Sequence, residues 1–413
     1  MFRIAALALA LAAGFALHAE AATKAIKFGK LWDGHRTVNN AVVIVDDDKI
    51  RSVTQNGAIP AGAETIDLSR YTGIPGLIDS HTHMTFYWDR STGTTPLKQP
   101  PRHVALTVFF AQENAKKTIE AGVTTVRDLT GFDGADLALR DLINGGAVVG
   151  PRMFVSGQGI RVAAIHRPGV TDYPAEAARI TKSLIDSGVD WIKVYGSTGG
   201  ADDLTGDETI SYAEMKAIID TAHANGRKVA IHSYGPVGAR DAIRAGTDTL
   251  EHATDMDDAD IAELVRTKIW YTPTINHNQH YLDLADSVYK FTPEAKKNFA
   301  DFIQRNFVTA GKAYRAGVRM LIGSDAVFTA HGTNMQELRW FVKFGMTNEQ
   351  ALQSATILPA EMLGMEKSLG SVAPGYIADI VAVEGDPLAD INVVLTNVRW
   401  VMKAGTVAVD KTH

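Results

Sequence analysis

The 413-residue sequence predicts an α/β protein, a (β/α)8 TIM barrel carrying a small β-sandwich domain formed by both termini. Three observations carry that prediction. Strand-like runs alternate with amphipathic helical stretches through the middle of the chain, the pattern of a parallel sheet covered by helices. Eight such runs can be counted, the number that closes a barrel. Both ends of the chain are rich in short β segments instead, and neither end is large enough for a core of its own, so pairing them is the economical solution.

Residues 1–21 stand apart from this pattern. Arg3 precedes an apolar run at 4–17, and Ala19-Glu20-Ala21 fits an A-x-A cleavage site, so a signal peptide is expected, with the mature chain starting near Ala22. The expected location is secreted or periplasmic. The apolar run is too short to serve as a permanent membrane anchor. Residues 22–72 are read as the first part of the sandwich, with strands at 25–28 and 41–45. Residues 73–365 are read as the barrel. Its strands are expected at 76–79, 125–128, 153–156, 191–195, 229–232, 248–252, 270–273 and 320–325, with helices at 107–120, 212–225 and 293–316 among the connections. Residues 366–413 complete the sandwich with strands at 377–383 and 398–402. A doubly wound open sheet is the runner-up, but no Gly-rich phosphate loop follows any of these strands.

Composition narrows the chemistry. The chain has no cysteine, which rules out disulfides and thiolate metal ligands. A net charge of −6 with no block of like charges offers no basic field for nucleic acid or anionic lipid. A small-molecule partner is the expectation.

Residues able to bind a metal fall at the C-terminal ends of the expected strands, the face where barrel active sites sit. His81-Thr82-His83 closes the first strand, and residues two apart on an extended chain point the same way. Lys193 lies in the fourth strand, His232 ends the fifth, His252 ends the sixth and Asp325 ends the eighth. Taken singly each has a bland explanation: a buried histidine is usually a packed core residue, and Asp325 would serve as a helix cap. Five candidate ligands at the ends of the correct strands are hard to explain that way. Four imidazoles and a carboxylate suit Zn²⁺ or a similar first-row ion. A lysine flanked by Ile192 and Val194 would be costly to bury unless neutralised or paired.

Gly73-Ile74-Pro75-Gly76-Leu77-Ile78-Asp79-Ser80-His81-Thr82-His83 resembles the first-strand motif of the amidohydrolase superfamily, and the resemblance covers nearly the whole mature chain, including the stretch 370–379. The branch it is most similar to is the imidazolonepropionase-like group, which contains Xaa-Pro and related binuclear metallodipeptidases and the ochratoxin-type amidases. The resemblance implies two divalent ions, zinc or similar, with Lys193 carboxylated by CO₂ and bridging them. His81, His83, Lys193 and Asp325 would then hold one ion, and Lys193, His232 and His252 the other. Imidazolonepropionase itself and the deaminases work with one metal and lack that lysine.

Implied further is hydrolysis of an amide bond in a dipeptide or N-acyl amino acid, by a hydroxide shared between the ions, with Asp325 as general acid and base. Tyr234, just after the fifth-strand histidine, matches a substrate-carboxylate contact. His166 falls at the spacing of a second substrate contact, although Ala164-Ile165 replace the family's glycines there, and His331-Gly332 matches a pocket-lining pair. His277 and His280 are expected at the same mouth, with Tyr87, Trp88 and Phe132 as apolar walls. Three alternatives stay open: a lactonase or carboxylesterase on the same site, a single-metal hydrolase of a cyclic amidine, and a catalytically silent structural homologue. A homo-oligomer is compatible with the family.

Overall fold

The computed structural model describes residues 23–201 and 203–413, so the signal-peptide expectation lies outside the described residues. The chain begins with β1 (Thr23–Trp32), β2 (Thr37–Asp46), β3 (Lys49–Gln55) and β4 (Glu64–Pro75). β1 runs antiparallel to β2 and parallel to β4. Along β1, Ile26, Phe28 and Leu31 are buried while Lys27 and Lys30 are partly exposed. The step between Phe28 and Leu31 breaks strict alternation, and a register shift between Phe28 and Lys30 in the pairing with β4 accommodates it.

One residue beyond β4 the barrel starts. Gly76 donates its N–H to the Asp379 carbonyl at 2.8 Å, and a Cβ at this position would collide with Thr124 Oγ1. Glycine is therefore required for β4 to run into the first barrel strand. The strands that follow are β5 (Leu77–Thr82), β6 (Val123–Asp128), β7 (Arg152–Val155), β8 (Trp191–Tyr195), β9 (Lys228–Ser233), β10 (Thr249–His252) and β11 (Trp270–Thr272). All pairings within β5–β6–β7 and within β8–β9–β10–β11 are parallel.

Single bridges close these two sheets into a ring. Ile160, beyond β7, bridges Val194 of β8, while the segment 320–326 bridges Tyr271 of β11 at Met320 and Thr82 of β5 at Ala326. This corrects the expectation of a regular eighth strand at 320–325. The reason is local: Asp325 has a left-handed backbone with φ +48, which a β ladder does not accommodate, and Asp79 Oδ1 accepts the Ser324 N–H at 2.9 Å in place of a strand partner.

The chain ends with β12 (Ile380–Val383), β13 (Val398–Lys403) and β14 (Thr406–Asp410). β12 pairs antiparallel with β4, so the two ends of the chain meet as expected. They do so in one continuous seven-stranded mixed sheet, β14-β13-β12-β4-β1-β2-β3, curled around a shared core that includes Ile26, Phe28, Val43, Ile380 and Trp400.

The helices begin where their caps dictate. Ser211 and Glu214 form a capping box ahead of Tyr212–Ala224, and Thr292 with Pro293 opens the long helix Pro293–Ala316, which stops at left-handed Gly317. Among the described residues no helix is long and apolar enough to cross a membrane.

Candidate metal centre

Strand geometry delivers the histidines to one place. His81 is the fifth residue of β5 and His83 follows its end, so their imidazoles stand on the same side with centroids 5.2 Å apart. Asp325 approaches from the neighbouring eighth segment, where its N–H donates to the His81 carbonyl at 2.7 Å. Its Oδ1 lies 2.9 Å from His83 Nε2 and 3.7 Å from His81 Nε2. The donor atoms of these three buried residues all fall within 4.8 Å of one another, a compact set able to hold one cation.

Lys193, His232 and His252 border the same cavity. Lys193 Nζ is 3.4 Å from His81 Nε2, and the His232 and His252 rings are 4.6 Å apart. They do not converge with the first three into a single donor group, and a second set of converging donors is not evident among the described residues. The expected pair of ions therefore has its geometric basis at one position.

Electrostatics place the groups in the states that metal ligation needs. Burial pushes the His81 imidazole down to about 4 and holds His83, His232 and His252 below the usual histidine range, so all four are neutral at pH 7. Burial alone would raise the Asp325 carboxyl, but the surrounding imidazoles outweigh it and keep the group ionised. Burial also lowers the Lys193 amine to about 8.

Two buried imidazole nitrogens, His83 Nδ1 and His232 Nε2, have no hydrogen-bond partner. At Gly199, whose φ is +152, a Cβ would fall 2.6 Å from that same His232 nitrogen. The space before His232 thus exists because residue 199 lacks a side chain. Neutral imidazoles, an ionised carboxylate and open nitrogens suit a first-row divalent ion.

Several residues that sequence reasoning missed hold this arrangement. Glu251 accepts from His81 Nδ1 through Oε2 and from Arg127 Nη2 through Oε1, each at 2.8 Å, and Arg127 Nε donates to the Ser80 carbonyl at 2.6 Å. With Nδ1–H committed to Glu251, the His81 Nε2 lone pair faces Asp325. Thr274 Oγ1 lies 2.6 Å from His252 Nδ1. His252 and Thr274 both have positive φ, +74 and +50, which is costly for residues with a β-carbon and commonest at functional sites. The sequence does carry a signal for Arg127 and Glu251: each is a charged residue inside an apolar strand, which must be paired when buried.

The cavity above this group has a volume of about 400 Å³. Tyr234 borders it, stacked on His232 at 4.9 Å, with its hydroxyl 3.5 Å from Asn278 Nδ2. His277 borders it as well and places Nδ1 2.7 Å from the Asp325 carbonyl oxygen. Two other expected contacts are not brought there. His166 is stacked on Tyr173 at 3.9 Å and hydrogen-bonded to the capping residue Glu214, which turns it away from the cavity. His331 is buried and not among the lining residues. His280 is tied to Thr329 Oγ1 at 2.9 Å. Apolar walls come from Phe86, Leu97 and Phe328. Phe132 packs behind Phe86, Tyr87 stacks on Phe110, and Trp88 bonds Thr94.

Comparison with known proteins agrees with this architecture. The model of the amidohydrolase family matches residues 72–408. The ochratoxinase of Aspergillus niger is 28% identical over 396 residues, spanning 86% of this chain and 80% of that protein. The imidazolonepropionase of Streptomyces avermitilis is 24% identical over 382 residues, spanning 84% and 81%. A crystal structure of a Xaa-Pro dipeptidase with methionine bound in its active site superposes with a TM-score of 0.83 at 30% identity, covering 93% of this chain and 99% of the other.

Proposed function

The chain belongs to the amidohydrolase family, and from that premise we propose that it is a metal-dependent hydrolase of an amide or related C–N bond. The observation that carries this reading is the convergence of His81, His83 and Asp325 within 4.8 Å. A divalent ion held by these three would supply Lewis acidity toward the substrate and an activated water at neutral pH.

The chain's own residues do the rest. Glu251 fixes the His81 tautomer and the neutral imidazoles offer lone pairs. The ionised Asp325 takes a proton from the attacking water and returns it to the leaving nitrogen. Its Oδ1 faces His83 at 2.9 Å and its Oδ2 faces His277 at 3.5 Å, so the carboxylate lies at the centre of the group.

Three converging donors provide for one ion, which fits a single-metal hydrolase of a cyclic amidine. Donor geometry favours it over the two-ion mechanism, and the likeness to an imidazolonepropionase supports it. One specific observation favours two ions. Lys193 is fully buried, 3.4 Å from His81 Nε2, with an amine lowered by burial to about 8. Its neutral form can add CO₂, forming an N–C bond and releasing a proton, and the carbamate would give His232 and His252 an anionic partner. Under this second reading the substrate is a dipeptide or N-acyl amino acid, as the likeness to a Xaa-Pro dipeptidase suggests. The same attack would also serve a lactone or ester.

The deciding experiment measures metal content alongside turnover of dipeptides, N-acyl amino acids and cyclic amidines. One ion per chain, indifferent to Lys193→Ala, with turnover of the cyclic amidine, supports the first reading. Two ions, reduced in Lys193→Ala together with amide cleavage, support the second. A wild-type protein that binds no divalent ion and cleaves no C–N bond sinks both.

A further inference from the structure

Besides Lys193, the described residues give the cavity one further cation, Arg161. Arg161 borders it with its guanidinium carbon 3.4 Å from the centre of the Tyr195 ring. The backbone holds it there. Ile160 donates to the Lys193 carbonyl at 2.8 Å and accepts from the Tyr195 N–H at 2.9 Å, so Arg161 lies one residue beyond a segment pinned to β8. Gly159 permits this approach, since a Cβ there would fall 2.7 Å from both Thr130 Oγ1 and Tyr195 Cε2.

Contact with the ring orients the guanidinium while leaving its N–H groups to other partners. Among the described residues no carboxylate or carbonyl takes them. Two arginines of the barrel strands behave differently: Arg127 is paired with Glu251 and Arg152 with Asp379. Among the described residues, the one carboxylate of the cavity wall, Asp325, is committed to His83.

We infer that Arg161 is a specificity residue that binds a carboxylate of the substrate and so selects acids over their neutral amides. The inference rests on the hydrolase reading above and deepens it by naming the substrate as an anion. A planar guanidinium whose N–H groups are free of protein partners matches a carboxylate in two-point fashion, which a lysine would not. Tyr195 also touches the His232 imidazole, centroid to centroid at 5.3 Å, so the anion and the bond to be cut fit within one small molecule. Tyr234, the residue that resemblance pointed to for the carboxylate, is buried and neutral and has only a hydroxyl to offer.

The test has two arms. Binding of N-acetyl-L-phenylalanine and of its amide to metal-stripped protein is measured by calorimetry, and kcat/KM is measured for acid and amide forms of the same amide substrates on metal-loaded protein. Wild type should prefer the acid by about tenfold or more in binding, with Arg161→Ala abolishing the preference and Arg161→Lys restoring part of it. The same loss should appear in KM rather than kcat. An acid-to-amide ratio that Arg161→Ala leaves unchanged, or no preference in wild type, overturns the inference. Acid preference in binding with no C–N hydrolysis anywhere would leave Arg161 as an anion site and remove the hydrolase reading instead.

Discussion

His81 Nδ1 lies 2.8 Å from Glu251 Oε2, and both side chains are fully buried. The second oxygen of Glu251 takes Arg127, so a charge-balanced chain runs from the barrel interior to the metal group. Its removal should be felt twice. Glu251→Gln is expected to weaken divalent-ion affinity by about tenfold to a hundredfold through loss of tautomer control. It should also destabilise the fold by about 3–5 kcal/mol, because Arg127 is left buried without a counter-charge. Competitive chelator titration and urea unfolding of the variant measure the two effects, and wild-type values in both would refute the assignment.

Asp325→Asn removes the proton carrier while keeping a polar side chain of the same shape. Turnover should fall by about 10²–10⁴-fold. Metal content and kcat determined on the same sample check this. A near-normal rate in metal-replete Asp325→Asn would exclude Asp325 as the acid and base.

Gly199→Ala tests the space in front of His232. The added methyl would lie 2.6 Å from His232 Nε2 and 2.7 Å from Tyr234 Cγ, on a backbone with φ +152 that disfavours alanine. Loss of activity, or of any ion bound at His232, is expected with secondary structure preserved by circular dichroism. Full activity would mean that the space is not used.

His280 supplies a pH test. Burial and the nearby His277 lower its imidazole to about 4. A histidine whose folded pKa is depressed binds fewer protons folded than unfolded between that value and about 6.5. Its contribution to stability is therefore intact above pH 6.5 and lost as pH falls toward 4. In His280→Gln the difference in unfolding free energy between pH 7.5 and pH 5 should shrink by on the order of 1 kcal/mol. An identical pH dependence in the metal-stripped wild type and variant would contradict this.

Much of the site is legible in the residues themselves. Strands with a period of two announce which side chains share a face, which is why His81 and His83 are recognisable as a pair, and β8 coincides with its expected bounds at 191–195. Lys193 stands out because a charge inside an apolar run has to be explained, and the same argument applied to Arg127 and Glu251 finds the chain behind His81. His166 misleads because its spacing is familiar while its loop is not. Without the glycines, Val162–Ile165 forms a turn of helix and the ring goes to Glu214 and Tyr173.

By itself the sequence determined the order of most elements, the barrel with its paired termini, and candidate metal ligands that include His81, His83 and Asp325. Each of these depends on local periodicity and residue chemistry. Only the tertiary structure decided which of those residues converge, because His81 and Asp325 are 244 positions apart and their distance depends on barrel closure. It also decided the left-handed turns at His252 and Asp325, the His81 tautomer set by Glu251, and the placing of Arg161 on Tyr195. These are consequences of side chains from separate strands meeting in a buried space, where an unpaired polar group is costly and each must find its partner.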